Sequence, residues 1–252
     1  MTTEFIEGIP VPQCFIDLND VLAAGCKRVI LYGPPGTGKT YSAQTLHINA
    51  AGFETLLCSE DMTNADIVGS MLPNERGGFN YVKGIGPITW DGDGTVGGRL
   101  VVDEINRASG DVVTTLMKFL DSPESAVWKN PYTGEVHFPR EGFSAIMTTN
   151  FEDPNEIEGP LRDRFPVAIK IDAAHPAALV AALPPELRML AATIVAGRPG
   201  ERASLRAWKE FQTLRNSPLF TTERAAKLVF GKMAEPIIDA IRIGTLSTEV
   251  SL

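Results

Sequence analysis

Short apolar runs closed by glycine, asparagine or an acid alternate along much of this chain with stretches whose apolar residues recur every three or four positions. Lys27–Tyr32, Phe53–Cys58, Gly98–Asp103, Phe143–Thr148 and Pro166–Ile171 are such runs, and their length and bounding turn residues predict buried strands. Helical spacing fills the gaps. Lys39–Ala51 predicts one helix, stopped by Ala51-Gly52, and Asp111 to Leu120 another, with Val112, Val113, Leu116, Phe119 and Leu120 on one stripe. Thr63 or Asn64 can cap a shorter helix with Asp66 in its first turn, where a carboxylate is favoured. Strand, helix, strand at this spacing forces a parallel sheet with right-handed crossovers.

Other stretches follow different rules. Phe79–Pro87 and Val127–Phe138 predict hairpins, the second turning through Asn130-Pro131-Tyr132-Thr133-Gly134. Residues 1–26 form a lead-in broken by Pro10 and Pro12, with Phe15 to Leu22 as a short helix beside the first strand's loop. From His175 the spacing is helical throughout, punctuated by Pro184-Pro185 and Arg198-Pro199-Gly200, which predicts about four helices. The expected organisation is an α/β domain over 1–172 and a smaller helical domain over 173–252.

The first predicted strand runs into Gly33-Pro34-Pro35-Gly36-Thr37-Gly38-Lys39-Thr40, which matches the phosphate-binding pattern G-x-x-x-x-G-K-[ST]. Glycines let successive N–H groups converge on one anion, and the helix N-terminus adds its partial positive charge. Lys39 is placed to reach the β- and γ-phosphates, and the Thr40 hydroxyl can ligate Mg²⁺. Gly33, Pro35, Gly36, Thr37, Gly38, Lys39, Thr40 and Tyr41 are therefore the candidate nucleotide-binding residues.

A phosphate loop does not define a reaction; the acids after the third strand narrow it. Ligands of a parallel sheet sit beyond the carboxyl ends of its strands, where Asp103 would face Thr40 and share Mg²⁺. Glu104, one residue on, can take a proton from a water aimed at the γ-phosphate, which favours hydrolysis over transfer to an organic acceptor. Asn150 ends the fourth strand, where a neutral amide can orient that water without competing for the metal.

Composition changes the picture by exclusion. The chain has 252 residues, 44% hydrophobic and 21% charged, as expected of a soluble globular protein. A net charge of −8 argues against a broad basic surface for nucleic acid. No apolar run approaches a membrane span, and Met1–Pro10 carries two acids and no base, unlike a signal peptide. A cytoplasmic location is the expectation. Cys14, Cys26 and Cys58 lack metal-ligand spacing, and His47, His137 and His175 are scattered.

Taken together, Gly-Pro-Pro-Gly-Thr-Gly-Lys-Thr at 33–40, Val-Val-Asp-Glu-Ile-Asn-Arg-Ala at 101–108, Thr-Thr-Asn at 148–150 and Leu-Arg-Asp-Arg-Phe at 161–165 resemble AAA+ ATPases. The Asp-Glu-Ile-Asn-Arg-Ala form resembles the MoxR-like branch, with its CbbQ and NorQ type activators. The resemblance covers residues 25–172 and implies a P-loop NTPase α/β fold. Its five-stranded parallel sheet would be ordered 5-1-4-3-2, with a small C-terminal helical lid. It also implies a ring, usually a hexamer, with ATP between subunits, acting on a client or adaptor protein such as a von Willebrand-type partner. Arg162 or Arg164 then resembles the finger lent to a neighbouring subunit, and Arg206 a sensor on the phosphates. Both hairpins fall where MoxR-like members carry inserts directed at the pore or face of the ring. Two rival readings remain: a nucleic-acid motor of clamp-loader or branch-migration type, and a nucleotide-gated scaffold without turnover.

Overall fold

The computed structural model describes residues 4–122 and 124–249. Contacts divide the chain into two compact units. One holds Leu18–Gly33 and Lys39–Lys170; the other holds Pro34–Gly38 and everything from Ile171, together with the first residues as far as Asp17.

The first unit is built on a five-stranded parallel sheet. Its strands are β1 (Arg28–Tyr32), β2 (Phe53–Leu57), β3 (Arg99–Asp103), β4 (Ser144–Thr148) and β5 (Val167–Lys170), in the spatial order β5-β1-β4-β3-β2. That is the order 5-1-4-3-2. In register, Met147 stands opposite both Ile30 and Val102, so Asp103 and Thr148 leave the sheet at one level on neighbouring strands.

The helices follow the chain as α1 (Gln13–Ala23), α2 (Lys39–Thr45), α3 (Asn64–Val68), α4 (Ile85–Asp91), α5 (Gly110–Phe119) and α6 (Gly159–Arg164). Thr63 and Asp66 form a reciprocal capping box at the start of α3. The stripe on α5 is buried as its spacing requires, and Leu116 and Phe119 join Trp90, Leu100, Val102 and Met147 in one core. Truncating such a fully buried leucine to alanine costs about 2–5 kcal/mol.

Two local expectations are corrected. The helix after the phosphate loop stops at Thr45 instead of reaching Ala51. His47 adopts a left-handed backbone (φ 49°). The Arg99 guanidinium donates to the carbonyls of Ala43, Leu46 and His47, taking over acceptors that further helix would have used. The first hairpin pairs Gly69–Pro73 with Phe79–Lys83, and Ile85-Gly86-Pro87 opens α4. Pro87 sits in the first turn of that helix, where a missing N–H costs nothing.

The second unit contains α7 (Pro176–Ala182), α8 (Pro185–Val195), α9 (Leu205–Arg215), α10 (Thr222–Phe230) and α11 (Ala234–Glu249), one helix more than the spacing predicted. Trp208, Phe211 and Phe230 pack mutually, with ring centroids 4.9–5.9 Å apart, and Ile9 joins their core. Ser204 and Thr221 cap α9 and α10. His175 caps α7 by accepting the Ala177 N–H on Nδ1 at 3.2 Å.

Candidate active site

At the end of β1 the backbone turns through Gly33 (φ 123°), Gly36 (φ 76°) and Gly38 (φ 99°) before α2 begins. An L side chain rarely adopts such angles, so the glycine spacing of the motif is a backbone requirement. Lys39 is buried. Its Nζ donates to the Gly33 carbonyl at 2.9 Å and to Asn150 Oδ1 at 3.1 Å.

Next to it, Thr40 Oγ1 lies 3.0 and 3.1 Å from the two carboxylate oxygens of Asp103. The Thr148 hydroxyl also donates to Asp103 Oδ1. Glu104 leaves the strand with a left-handed backbone, φ 55° and ψ 46°. A non-glycine residue held there is uncommon and marks a constrained position. Its Oε1 accepts from Asn150 Nδ2 at 3.4 Å, and its Oε2 meets Arg107 Nε at 2.9 Å. Lys39, Thr40, Asp103, Glu104 and Asn150 therefore converge, although they are drawn from α2 and the ends of β3 and β4.

The remaining candidates differ in burial. Tyr41 is exposed on α2, Pro35 is exposed and Thr37 is buried, donating to the Pro34 carbonyl at 3.1 Å. Within the second unit, the Gly36 carbonyl accepts the Leu205 N–H at 3.2 Å. A Cβ at Gly36 would come within 2.3 Å of Ser204 Cβ, so no larger residue fits there without a shift. Arg206, one residue further, is exposed. Arg162 is exposed and bonded to Asn155. Arg164 is half-buried, donating to the Pro160 carbonyl at 3.1 Å and pairing with Asp121 at 3.2 Å.

Three contributors escaped the sequence reading. Thr148 was visible only as part of Thr-Thr-Asn, and its hydroxyl on Asp103 follows from the register of β3 and β4. Arg107 stands three residues after Glu104, a spacing that brings side chains together only because this turn is helical. Arg99 carries no motif at all; burial pulls its guanidinium down to about 10. Close by, Cys58 is buried, and burial, with the charges of Asp103 and Glu104 adding, pushes its thiol up to about 12. A thiol so protonated is unreactive.

Chemically, the arrangement offers a cation for phosphate, a carboxylate with a hydroxyl for a hard divalent ion, and a second carboxylate with an amide. Among the described residues no three His, Cys, Asp or Glu side chains gather around a metal site. A Mg²⁺ ion fits Thr40 and Asp103 only if phosphate oxygens and water complete its shell, which is how this ion binds beside nucleotides. An open groove lined by Lys83, Asp91, Asp93, Glu135, His137 and Arg140 belongs to the same unit but shares none of these residues.

A family model described as an AAA domain of the dynein-related subfamily matches residues 28–165, more than half of the chain. The chain belongs to that family. It is an AAA+ ATPase, and the sheet order is that of its P-loop α/β fold. No curated protein matches significantly. Among solved structures, NtrX of Brucella abortus in complex with ADP shares 14% identity over 86% of this AAA+ chain and 53% of its own, with a TM-score of 0.56. A RuvB variant of Thermotoga maritima shares 16% over 86% and 68%, with a TM-score of 0.50. A Cytophaga hutchinsonii protein classed provisionally as an ATPase shares 20% over 64% and 46%, with a TM-score of 0.43. The chain thus spans about half the length of some of these relatives, and the likeness to the NtrX and RuvB structures, at such identities, is one of fold. Among the described residues no helix is long and apolar enough to cross a membrane.

Proposed function

We propose that this AAA+ chain hydrolyses ATP with Mg²⁺ in a ring of identical subunits, of MoxR-like type and hexameric, and uses the cycle to remodel or activate a partner protein. The observation that carries the reading is the convergence of Lys39, Thr40, Asp103, Glu104 and Asn150. The glycine loop and Lys39 hold the phosphates, and Thr40 and Asp103 hold the metal. Bound there, Mg²⁺ supplies charge neutralisation on the phosphate oxygens. Glu104 takes one proton from a water as its oxygen bonds to the γ-phosphorus. The bond from that phosphorus to the bridging oxygen breaks, releasing ADP and phosphate. Asn150 aims the water. Arg164, or Arg162, completes the site from the adjoining copy, and Arg206 reads the phosphates. Within its own chain Arg164 pairs with Asp121, and the exposed Arg162 is bonded to Asn155.

An α/β domain over 1–172 and a helical lid domain over 173–252, a cytoplasmic setting and a von Willebrand-type adaptor belong to the same reading. The net charge of −8 favours a protein client over nucleic acid. Glu104→Gln tests it: nucleotide binding should persist while hydrolysis falls at least about tenfold, and co-purification of that variant in ATP should retain the client. Undiminished turnover would remove Glu104 as the base. Stimulation of the wild-type ATPase by DNA would instead favour the nucleic-acid motor.

A further inference from the structure

Arg99 opens β3, whose next three residues, Leu100, Val101 and Val102, are apolar and fully buried, and it is itself only 5% exposed. Its Nη1 donates to the Ala43 carbonyl at 2.9 Å and to that of Leu46, its Nη2 to the His47 carbonyl at 3.0 Å and its Nε to Ser144 Oγ at 3.2 Å. Among the described residues no carboxylate pairs with it. Burying a cation without a counter-charge is unfavourable, and an apolar side chain would suit this strand position as it suits the three that follow. The partners show what the guanidinium does instead. They are carbonyls of the last turn of α2 and of the two residues beyond it, which a helix end leaves open and where a cation is favoured.

The other end of α2 meets the other end of the same strand. Thr40, in the first turn, lies 3.0 and 3.1 Å from the two carboxylate oxygens of Asp103, the last residue of β3. The helix has seven residues, too few to hold its shape alone. Three carbonyls held by one planar fork fix both its height and its rotation against β3. Those two settings matter most to Thr40, whose branched side chain is short and stiff and cannot follow a displaced ligand. Lys39 reaches Asn150 on a long stem at 3.1 Å and tolerates a small shift.

We propose that Arg99 is a positioning residue for metal binding: it holds the far end of α2 on β3, so that the Thr40 hydroxyl and the Asp103 carboxylate meet a divalent cation as a preset pair. This rests on the reading that Thr40 and Asp103 hold Mg²⁺. Loss of the guanidinium weakens the metal by about tenfold, the lower end of what a lost outer-shell contact costs. Nucleotide affinity in the absence of metal, which depends on the glycine loop and Lys39, is nearly unchanged.

The test is Mn²⁺ titration of the full chain with ADP bound, read by electron paramagnetic resonance, beside ADP titration in a chelator. Arg99→Met should raise the Kd for Mn²⁺ about tenfold with metal-free ADP affinity nearly that of wild type. Arg99→Lys, which keeps the charge but cannot span all three carbonyls, should fall between them. In steady-state hydrolysis the half-saturating Mg²⁺ concentration should rise in the same order while kcat at saturating Mg²⁺ is retained. A merely structural role would lower the urea midpoint and leave the Kd for Mn²⁺ of the folded protein unmoved, and that result overturns the proposal. If Arg99→Met does not fold, Arg99→Lys decides under the same criteria. Thr40→Ala run alongside separates the two readings. If it leaves Mn²⁺ affinity unchanged, the metal assignment itself fails; if it weakens Mn²⁺ while the Arg99 variants match wild type, only the role of Arg99 fails.

Discussion

The strand ends of the sheet and the two hairpins of the same unit treat their side chains in opposite ways. At the strand ends, polar groups bind one another across elements: Thr40 and Thr148 on Asp103, Asn150 on Glu104, Lys39 on Asn150. On the hairpins apolar side chains stand in solvent, with Phe79 64% and Phe138 60% exposed. Yet the hairpins are not loose. Tyr81 and Tyr132 bring them together with ring centroids 5.7 Å apart, and Tyr81 donates its hydroxyl to the Val68 carbonyl. One region is organised inward for chemistry, where partners must be fixed in advance; the other keeps a firm base under an unspent apolar surface of the kind that marks contact with other molecules.

Breaking the inward region should cost most. Glu104→Gln is expected to lower kcat by at least about tenfold while leaving ATP binding intact, read by single-turnover hydrolysis and nucleotide titration. Next comes Arg99→Leu, which strands buried carbonyls of α2 and its following turn. Urea titration should find about 2–4 kcal/mol less stability. The outward region should answer differently. Phe79→Ser with Phe138→Ser should leave stability within about 0.5 kcal/mol and basal hydrolysis unchanged, while the remodelling that the proposed function assigns to the chain falls; loss of basal hydrolysis would mean that the two regions are not separable.

The smallest effect lies outside both and calibrates them. Burial holds the His175 imidazole below its ordinary value of 6.5, and its Nδ1 accepts a backbone N–H. The folded chain thus resists a proton that the unfolded chain accepts. Stability is complete above about pH 6.5 and declines as pH falls below it. Thermal melts between pH 8 and 5 should show this slope, and His175→Asn, which preserves a cap acceptor, should flatten it.

Much of the sheet and its machinery was legible because the signals are local. Gly33, Gly36 and Gly38 announce a turn that needs positive φ, and Val101-Val102-Asp103-Glu104 announces a buried strand ending in acid. What stayed hidden depends on register and on residues distant in sequence. Lys39–Ala51 carries helical spacing, yet Arg99, more than fifty residues away, decides where that helix stops. The Phe79–Lys83 strand was recognisable, but its partner Gly69–Pro73 lacks a clean alternation and was found only by pairing. Arg107 was legible only as part of Asp-Glu-Ile-Asn-Arg-Ala, and its pairing with Glu104 depends on the helical turn between them.

Arg99 and Asp103 open and close the same five-residue strand, and α2 is gripped by both: at its start through Thr40 and at its far end through three carbonyls. A helix of seven residues would have little persistence alone. Fastened near both ends to β3, an inner strand next to the sheet's edge, it is held along its length by side chains of the sheet.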